Sequence, residues 1–247
     1  MANQIKAALF IPCYIDQLYP DVGVATLQLL EKLGVKVEYP QGQTCCGQPM
    51  ANAGFDQYAQ KTTASFYEAF KNYDYIVAPS GSCVAHVRHH LNLPGVAPDT
   101  FEGRAFELCE FMHDVLKVKQ LEASYPVKVG LHKSCHGLRG LRIGTSSELQ
   151  VPREDKVALI LKMVAGLELI SHAREDECCG FGGTFATAEE AVSVAMGNAR
   201  INGYAKAGAE VITGTDMSCL MHMEGLLKRQ QINIQIKHVA EILNSVL

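Results

Sequence analysis

The sequence predicts an α/β protein built from two pseudo-repeated, Rossmann-like halves with mainly parallel sheets, 1–122 and 123–247. Three observations predict it. Short apolar runs alternate with longer stretches of helical period, the order that gives a parallel sheet covered by helices. The same order of elements occurs twice along the chain. Each copy carries a Cys-Cys-Gly triplet at the same place in that order, Cys45-Cys46-Gly47 in the first and Cys178-Cys179-Gly180 in the second.

In the first half, the apolar run 7–13 reads as a buried strand that ends at Cys13. A helix follows it. Asp21 is the candidate cap, Val24, Leu27, Leu30 and Leu33 share one face, and Gly34 stops the helix. The segment 35–39 alternates as a strand and leads through Pro40, Gly42 and Thr44 into Cys45-Cys46-Gly47. A helix is expected over 55–70, and a short buried strand over 75–78 runs into Pro79, Gly81 and Cys83. A strand-and-helix pair over 105–116 closes the half.

The second half repeats this order. A strand over 127–131 leads to Cys135, and a helix over 154–165 is stopped by Gly166. A strand over 167–170 runs through an acidic loop to Cys178-Cys179-Gly180. Then come a helix over 188–206, a strand over 210–213 leading to Cys219, a strand over 234–236 and a closing helix over 239–246.

Between Cys13 and Cys45 lie 31 residues, and 42 lie between Cys135 and Cys178; between Cys46 and Cys83 lie 36, against 39 between Cys179 and Cys219. The strand before the third cysteine position aligns without a gap, Asp74-Tyr75-Ile76-Val77 over Glu210-Val211-Ile212-Thr213. Parallel sheets gather ligands at the carboxyl ends of their strands, and every repeated cysteine follows such an end. Each set of four is therefore expected to converge on one rim. Cys109 has no cysteine counterpart and reads as a packing residue.

Nine cysteines in 247 residues require an explanation. The apolar run 7–12 is preceded by one lysine, so no signal peptide is expected, and an odd count suits a disulfide framework poorly. In a reducing cytoplasm the remaining uses are metal ligation and redox chemistry. The net charge of −4 offers no general attraction to nucleic acid or an anionic membrane, and Lys162 and Glu168 break the longest apolar run, so no membrane span is expected.

Adjacent cysteines seldom pair with each other, because the disulfide would distort the intervening peptide. Two neighbouring thiolates can instead hold two irons of one cluster, and the following glycine lets the backbone fold closely around it. Four cysteines per half meet the ligand count of an iron–sulfur cluster, and glycine N–H groups directed at sulfur raise a cluster's potential. The candidate ligands are Cys13, Cys45, Cys46 and Cys83, then Cys135, Cys178, Cys179 and Cys219. Zinc is the competitor. Its structural sites draw ligand pairs from short knuckles, which a vicinal pair fits poorly but which Cys83 with His86 and Cys219 with His222 would fit.

Together with Pro79-Ser80-Gly81-Ser82-Cys83, Gly180-Phe181-Gly182-Gly183-Thr184 and the closing His238-Val239-Ala240-Glu241-Ile242-Leu243, the double Cys-Cys-Gly pattern resembles the cysteine-rich CCG domain family. That family includes one of the subunits of heterodisulfide reductase and the iron–sulfur subunit of glycolate oxidase. The likeness covers nearly the whole chain and is nearest to the lactate-utilisation iron–sulfur branch (LutA/YkgE type), short proteins without ferredoxin motifs. The resemblance implies one or two iron–sulfur clusters per chain, of [4Fe-4S] type. It further implies a subunit of a cytoplasmic complex that oxidises L-lactate to pyruvate, with a ferredoxin-like iron–sulfur partner (LutB type) and a third subunit (LutC type). The fuller family pattern ends in Cys-x-x-Cys. Here His86 and His222 stand at the fifth position, either as additional ligands or as ordinary packing residues, and the packing reading is preferred.

Two rival functions remain at this point: a heterodisulfide-reductase-like thiol or quinone reductase subunit, and a zinc-bound scaffold. Around Cys135, the residues His132, Lys133, His136, Arg139 and Arg142 are weighed as a cationic pocket for a carboxylate and read more readily as a solvated rim. Asp16 and Asp21 are read as helix caps, Glu175, Asp176 and Glu177 as facing water, and Met217, Met221 and Met223 as core filler. Gly180-Phe181-Gly182-Gly183 lacks the order of a dinucleotide loop, so no nucleotide is expected.

Overall fold

A computed structural model describes residues 4–152 and 154–245. The first half runs β1 (Lys6–Leu9), α1 (Cys13–Leu18), α2 (Pro20–Lys32), β2 (Lys36–Glu38), α3 (Gln48–Asn52), α4 (Asp56–Phe70), β3 (Ile76–Ala78), α5 (Gly81–His89), β4 (Ala105–Glu107) and α6 (Leu108–Glu110). The second runs β5 (Lys128–His132), α7 (Lys156–Leu161), β6 (Glu168–Ile170), α8 (Phe185–Ala188), α9 (Glu190–Lys206), β7 (Val211–Gly214), α10 (Met217–Gln230), β8 (Gln235–His238) and α11 (Val239–Leu243). Both sheets are parallel throughout, in the orders β2-β1-β3-β4 and β6-β5-β7-β8. The two topologies are the same, as the repeat predicts.

Register fixes the equivalence residue by residue. Ala8 pairs with Ile76 in the first sheet, and Gly130 pairs with Ile212 in the second. Ala8 and Gly130 therefore occupy one position, and counting on two residues makes Phe10 the counterpart of His132. The central strand β3 is buried at every residue, which its uninterrupted apolar sequence requires. Phe10 packs edge-on against Phe66 and Phe70 of α4, with ring centroids 5.0 and 5.5 Å away.

Several boundaries differ from expectation. The second helix begins at Pro20 rather than being capped by Asp21, because proline at the first helical position has no N–H to leave unsatisfied. The helix expected over 154–165 contracts to Lys156–Leu161, capped by Asp155, which accepts from the Ala158 N–H at 2.9 Å. The closing helix ends at Leu243; Val246, expected to end it, lies outside the described residues, as do 1–3 and 247 at the limits of the two halves.

The halves meet through the amino ends of α5 and α10. The Asp216 carboxylate, before α10, accepts from the Ser82 N–H of α5 at 2.8 Å and from the Ser80 hydroxyl at 3.1 Å. The Gly81 N–H donates to the Thr215 carbonyl at 3.3 Å. On the outer side Asn244 joins Lys32 and Gln28 of α2, at 2.7 and 2.8 Å.

Candidate metal centre

In each sheet the strand order reverses beside the first strand, so the loops after β1 and β3, and after β5 and β7, diverge and leave a crevice. Those loops carry Cys13, Cys83, Cys135 and Cys219. Cys13 opens α1, and Cys83 lies in the first turn of α5, where the Ser80 hydroxyl accepts its N–H at 3.3 Å. Cys45 and Cys46 come from the loop after β2. Cys135, Cys219 and the pair Cys178-Cys179 take the same places in the second half. The two crevices face one another. All eight cysteines line a single cavity of about 110 Å³, which Tyr14 and Phe181 flank with their rings edge-on at 6.0 Å. Gln48 of one half and His136 of the other meet across it at 3.1 Å.

Within each set the sulfurs touch. The Sγ atoms of Cys13 and Cys45 are 3.7 Å apart. The Gly47 N–H points at Cys45 Sγ from 3.4 Å, and the Gly180 N–H at Cys178 Sγ from 3.3 Å. Both glycines need a left-handed backbone for this, with φ of +92° and +89°. Gly180 also needs its missing side chain, since a Cβ there would lie 2.6 Å from the Ser193 carbonyl.

Electrostatics separates the thiols. Hydrogen bonds from Cys13 and Cys46, with the Gly47 N–H, hold Cys45 down at about 2. Cys135, Cys179 and Gly180 hold Cys178 at about 2 in the same way. Cys13, Cys46, Cys135 and Cys179 are pushed up, chiefly by sharing their protons with the ionised sulfur and then by burial. Each set therefore ionises one sulfur readily and resists a second, because like charges would lie in contact. A bound cation removes that resistance, so metal loading releases protons. Four convergent thiols, one N–H donor per set and a partly enclosed cavity suit an iron–sulfur cluster.

The remaining candidates fall elsewhere. His86 and His222 sit behind their Cys-Cys-Gly segments and line no part of the cavity. His86 is buried, lowered to about 4 by desolvation, and stacks on His90 at 6.2 Å. His222 Nε2 lies 3.4 Å from the Ser193 carbonyl. The cationic residues near Cys135 are divided among separate hollows and paired: Lys133 pairs with Glu175 at 2.9 Å and Asp155 at 3.4 Å, Arg139 pairs with Glu148 beside Cys135, and Arg142 is exposed. Asp176 is buried rather than facing water and accepts from the Ser147 N–H. Cys109 is fully buried among apolar side chains, as its lack of a counterpart suggested, and Met217 and Met223 are core residues.

His132 goes furthest beyond the sequence reading. It is 2% exposed, and its ring can place a nitrogen within 4.8 Å of the sulfurs of Cys179 and Cys219, which are as close to each other. Its place opposite Phe10 in the strand alignment was the available signal.

Residues 7–88 and 129–224 match the cysteine-rich domain family CCG, one match to each half. The chain is 40% identical to lactate utilization protein A of Exiguobacterium sp., with 97% of each chain covered. It is 38% identical to that of Halalkalibacterium halodurans, again over 97% of each, and 36% identical to that of Bacillus subtilis over 98% of this chain and all of the relative. Among solved structures, a hypothetical protein from Helicobacter pylori shares the fold at a TM-score of 0.53 and 12% identity, over 96% of this chain and 48% of that one. With both halves matched and full-length relatives at these identities, the chain belongs to the CCG cysteine-rich domain family, in the group of the lactate utilization A proteins.

Proposed function

We propose that the chain is the iron–sulfur electron-transfer subunit of a cytoplasmic complex that oxidises L-lactate to pyruvate. Its partners there would be a ferredoxin-like iron–sulfur protein of LutB type and a third subunit of LutC type. The observation that carries this reading is the convergence of all eight repeated cysteines on one cavity, in a chain whose relatives are named for lactate utilization. Cys13, Cys45, Cys46 and Cys83 would hold one [4Fe-4S] cluster, and Cys135, Cys178, Cys179 and Cys219 a second. Clusters bound there would supply one-electron donor and acceptor levels. The protein's own residues orient the thiolates, direct the Gly47 and Gly180 N–H groups at sulfur, and shield the buried Cys46 and Cys179 from water. Among the described residues no helix is long and apolar enough to cross a membrane.

A second reading, a heterodisulfide-reductase-like thiol or quinone reductase subunit, is favoured by both cysteine sets opening on one cavity. Anaerobic purification, metal analysis and electron paramagnetic resonance separate these. Iron whose spectrum responds to lactate only when the partner subunits are added supports the first reading. Reduction of a disulfide without lactate supports the second. Zinc in place of iron makes the chain a scaffold and sinks both.

A further inference from the structure

The two halves share a topology and a cysteine set but differ beneath it. In the first half the residue after β1 is Phe10, which closes an aromatic cluster with Phe66 and Phe70 of α4. In the second half the equivalent residue is His132, and the equivalent helix α9 places Arg200 and Tyr204 beneath it. Both are about 1% exposed. Tyr204 donates its hydroxyl to the Leu131 carbonyl at 2.9 Å, and Arg200 reaches the Tyr204 oxygen at 2.5 Å and the Arg174 carbonyl. An oily underside in one half is thus a buried cation and an imidazole in the other.

Among the described residues nothing else claims that imidazole. His132 Nδ1 and Nε2 are both buried and both without a hydrogen-bond partner, a costly arrangement that a site contact would relieve. An imidazole carries an N–H on at least one ring nitrogen in every tautomer, so the ring has a donor to give. The sulfurs within its reach are those of Cys179 and Cys219.

We infer that the two cysteine sets hold electronically unequal centres, and that His132 makes them so by donating its N–H to the thiolates of Cys179 and Cys219. A hydrogen bond to a ligating sulfur and a buried positive charge below it both stabilise the reduced, more negative cluster. The second centre therefore takes an electron more readily than the first, and an electron shared across the cavity rests on the Cys135, Cys178, Cys179 and Cys219 side. The inference rests on the iron–sulfur reading and adds a direction to it.

The test is a potentiometric titration of the anaerobically prepared, iron-loaded chain, followed by electron paramagnetic resonance. The wild type is expected to show two midpoints. In His132→Phe, which installs the first half's residue, the higher one falls while the other stays. Held at the wild-type midpoint, the reduced-to-oxidised ratio of that centre drops from one to about one tenth, which is ~59 mV for a one-electron couple. His132→Asn, which keeps an N–H donor, recovers part of the shift and guards against a variant that merely folds poorly. Histidine labelled with nitrogen-15 gives a weak nitrogen coupling to one centre, absent from the phenylalanine variant. Equal wild-type midpoints, or midpoints unmoved in both variants at full iron content, overturn the inference and leave the iron–sulfur reading standing. A wild type that binds no iron overturns both.

Discussion

Gly180→Ala tests whether the second cysteine set depends on a close backbone approach or only on the left-handed turn that follows the vicinal pair. Gly47, Gly180 and Gly183, all near the cysteines and all at positive φ, differ in what surrounds them. At Gly183, φ is +65° and a Cβ would meet nothing within 4 Å, so alanine there costs only the left-handed conformation, ~1–2 kcal/mol. At Gly47 the nearest atoms to a Cβ are Ala59 Cβ and Thr63 Oγ1, both at 3.5 Å, an ordinary contact, and the cost is of the same size. At Gly180 the Cβ would lie 2.6 Å from the Ser193 carbonyl and 2.8 Å from Met196 Cβ, both on α9. The helix must move, and overpacking of this kind adds ~1–3 kcal/mol. Gly180→Ala is thus expected to lose ~2–5 kcal/mol in urea denaturation of the metal-free protein, and to bind less iron because the Cys178-Cys179 pair shifts with its loop. Gly47→Ala and Gly183→Ala should fall together at the smaller loss. Equal losses at all three positions would refute the steric account and leave the turn conformation as the whole effect.

Glu107 is fully buried, and burial raises its carboxyl from 4.5 to about 8 despite the Cys109 and Glu110 N–H groups that it accepts. Its folded form holds a proton that the unfolded chain has released, so the stabilisation is complete below about 4.5 and is lost as pH rises through about 8. Glu107→Gln keeps the cap and should flatten the dependence of the urea midpoint on pH between about 5 and 8, removing a decline of roughly a few kcal/mol; parallel curves for variant and wild type would contradict it. Asp216→Ala leaves the Ser82 N–H without its partner from the other half and should cost ~1–3 kcal/mol with faster proteolysis between the halves. An unchanged midpoint would mean that the contact contributes nothing. Cys109→Ala should leave iron content at the wild-type level while Cys179→Ala lowers it, and the reverse order in metal analysis would redraw the ligand set.

Much of the architecture was legible because it depends on local pattern. Val77 and its neighbours are apolar without interruption, so a central strand was readable, and Gly34 ends its helix where its φ of +81° demands glycine, whereas α7 stops at Leu161, short of Gly166. The cysteine sets were legible from duplication. The shared cavity was not, because it depends on how the halves dock, and the docking is made by Asp216 with Ser82 and Asn244 with Lys32, residues far apart in sequence. The cationic cluster near Cys135 misled for the same reason. Lys133 and Arg139 look free along the chain, whereas their carboxylate partners Asp155, Glu175 and Glu148 arrive from other segments. His132 belongs to that surface group by sequence position alone; the strand register makes it the counterpart of Phe10, inside the core.

The contact between Asp216 and Ser80 has a consequence for symmetry. Both residues occupy the N-cap position of the corresponding helix in their own half, and they meet where the halves join, at 3.1 Å. Two identical halves paired around a true twofold would bring like to like there. Two carboxylates at that distance would repel strongly, and two serines would supply no charge to the helix ends. Carrying both halves on one chain lets the carboxylate at the start of α10 serve the amino end of α5 in the other half. The pairing that closes the cavity is therefore one that a dimer of either half could not reproduce.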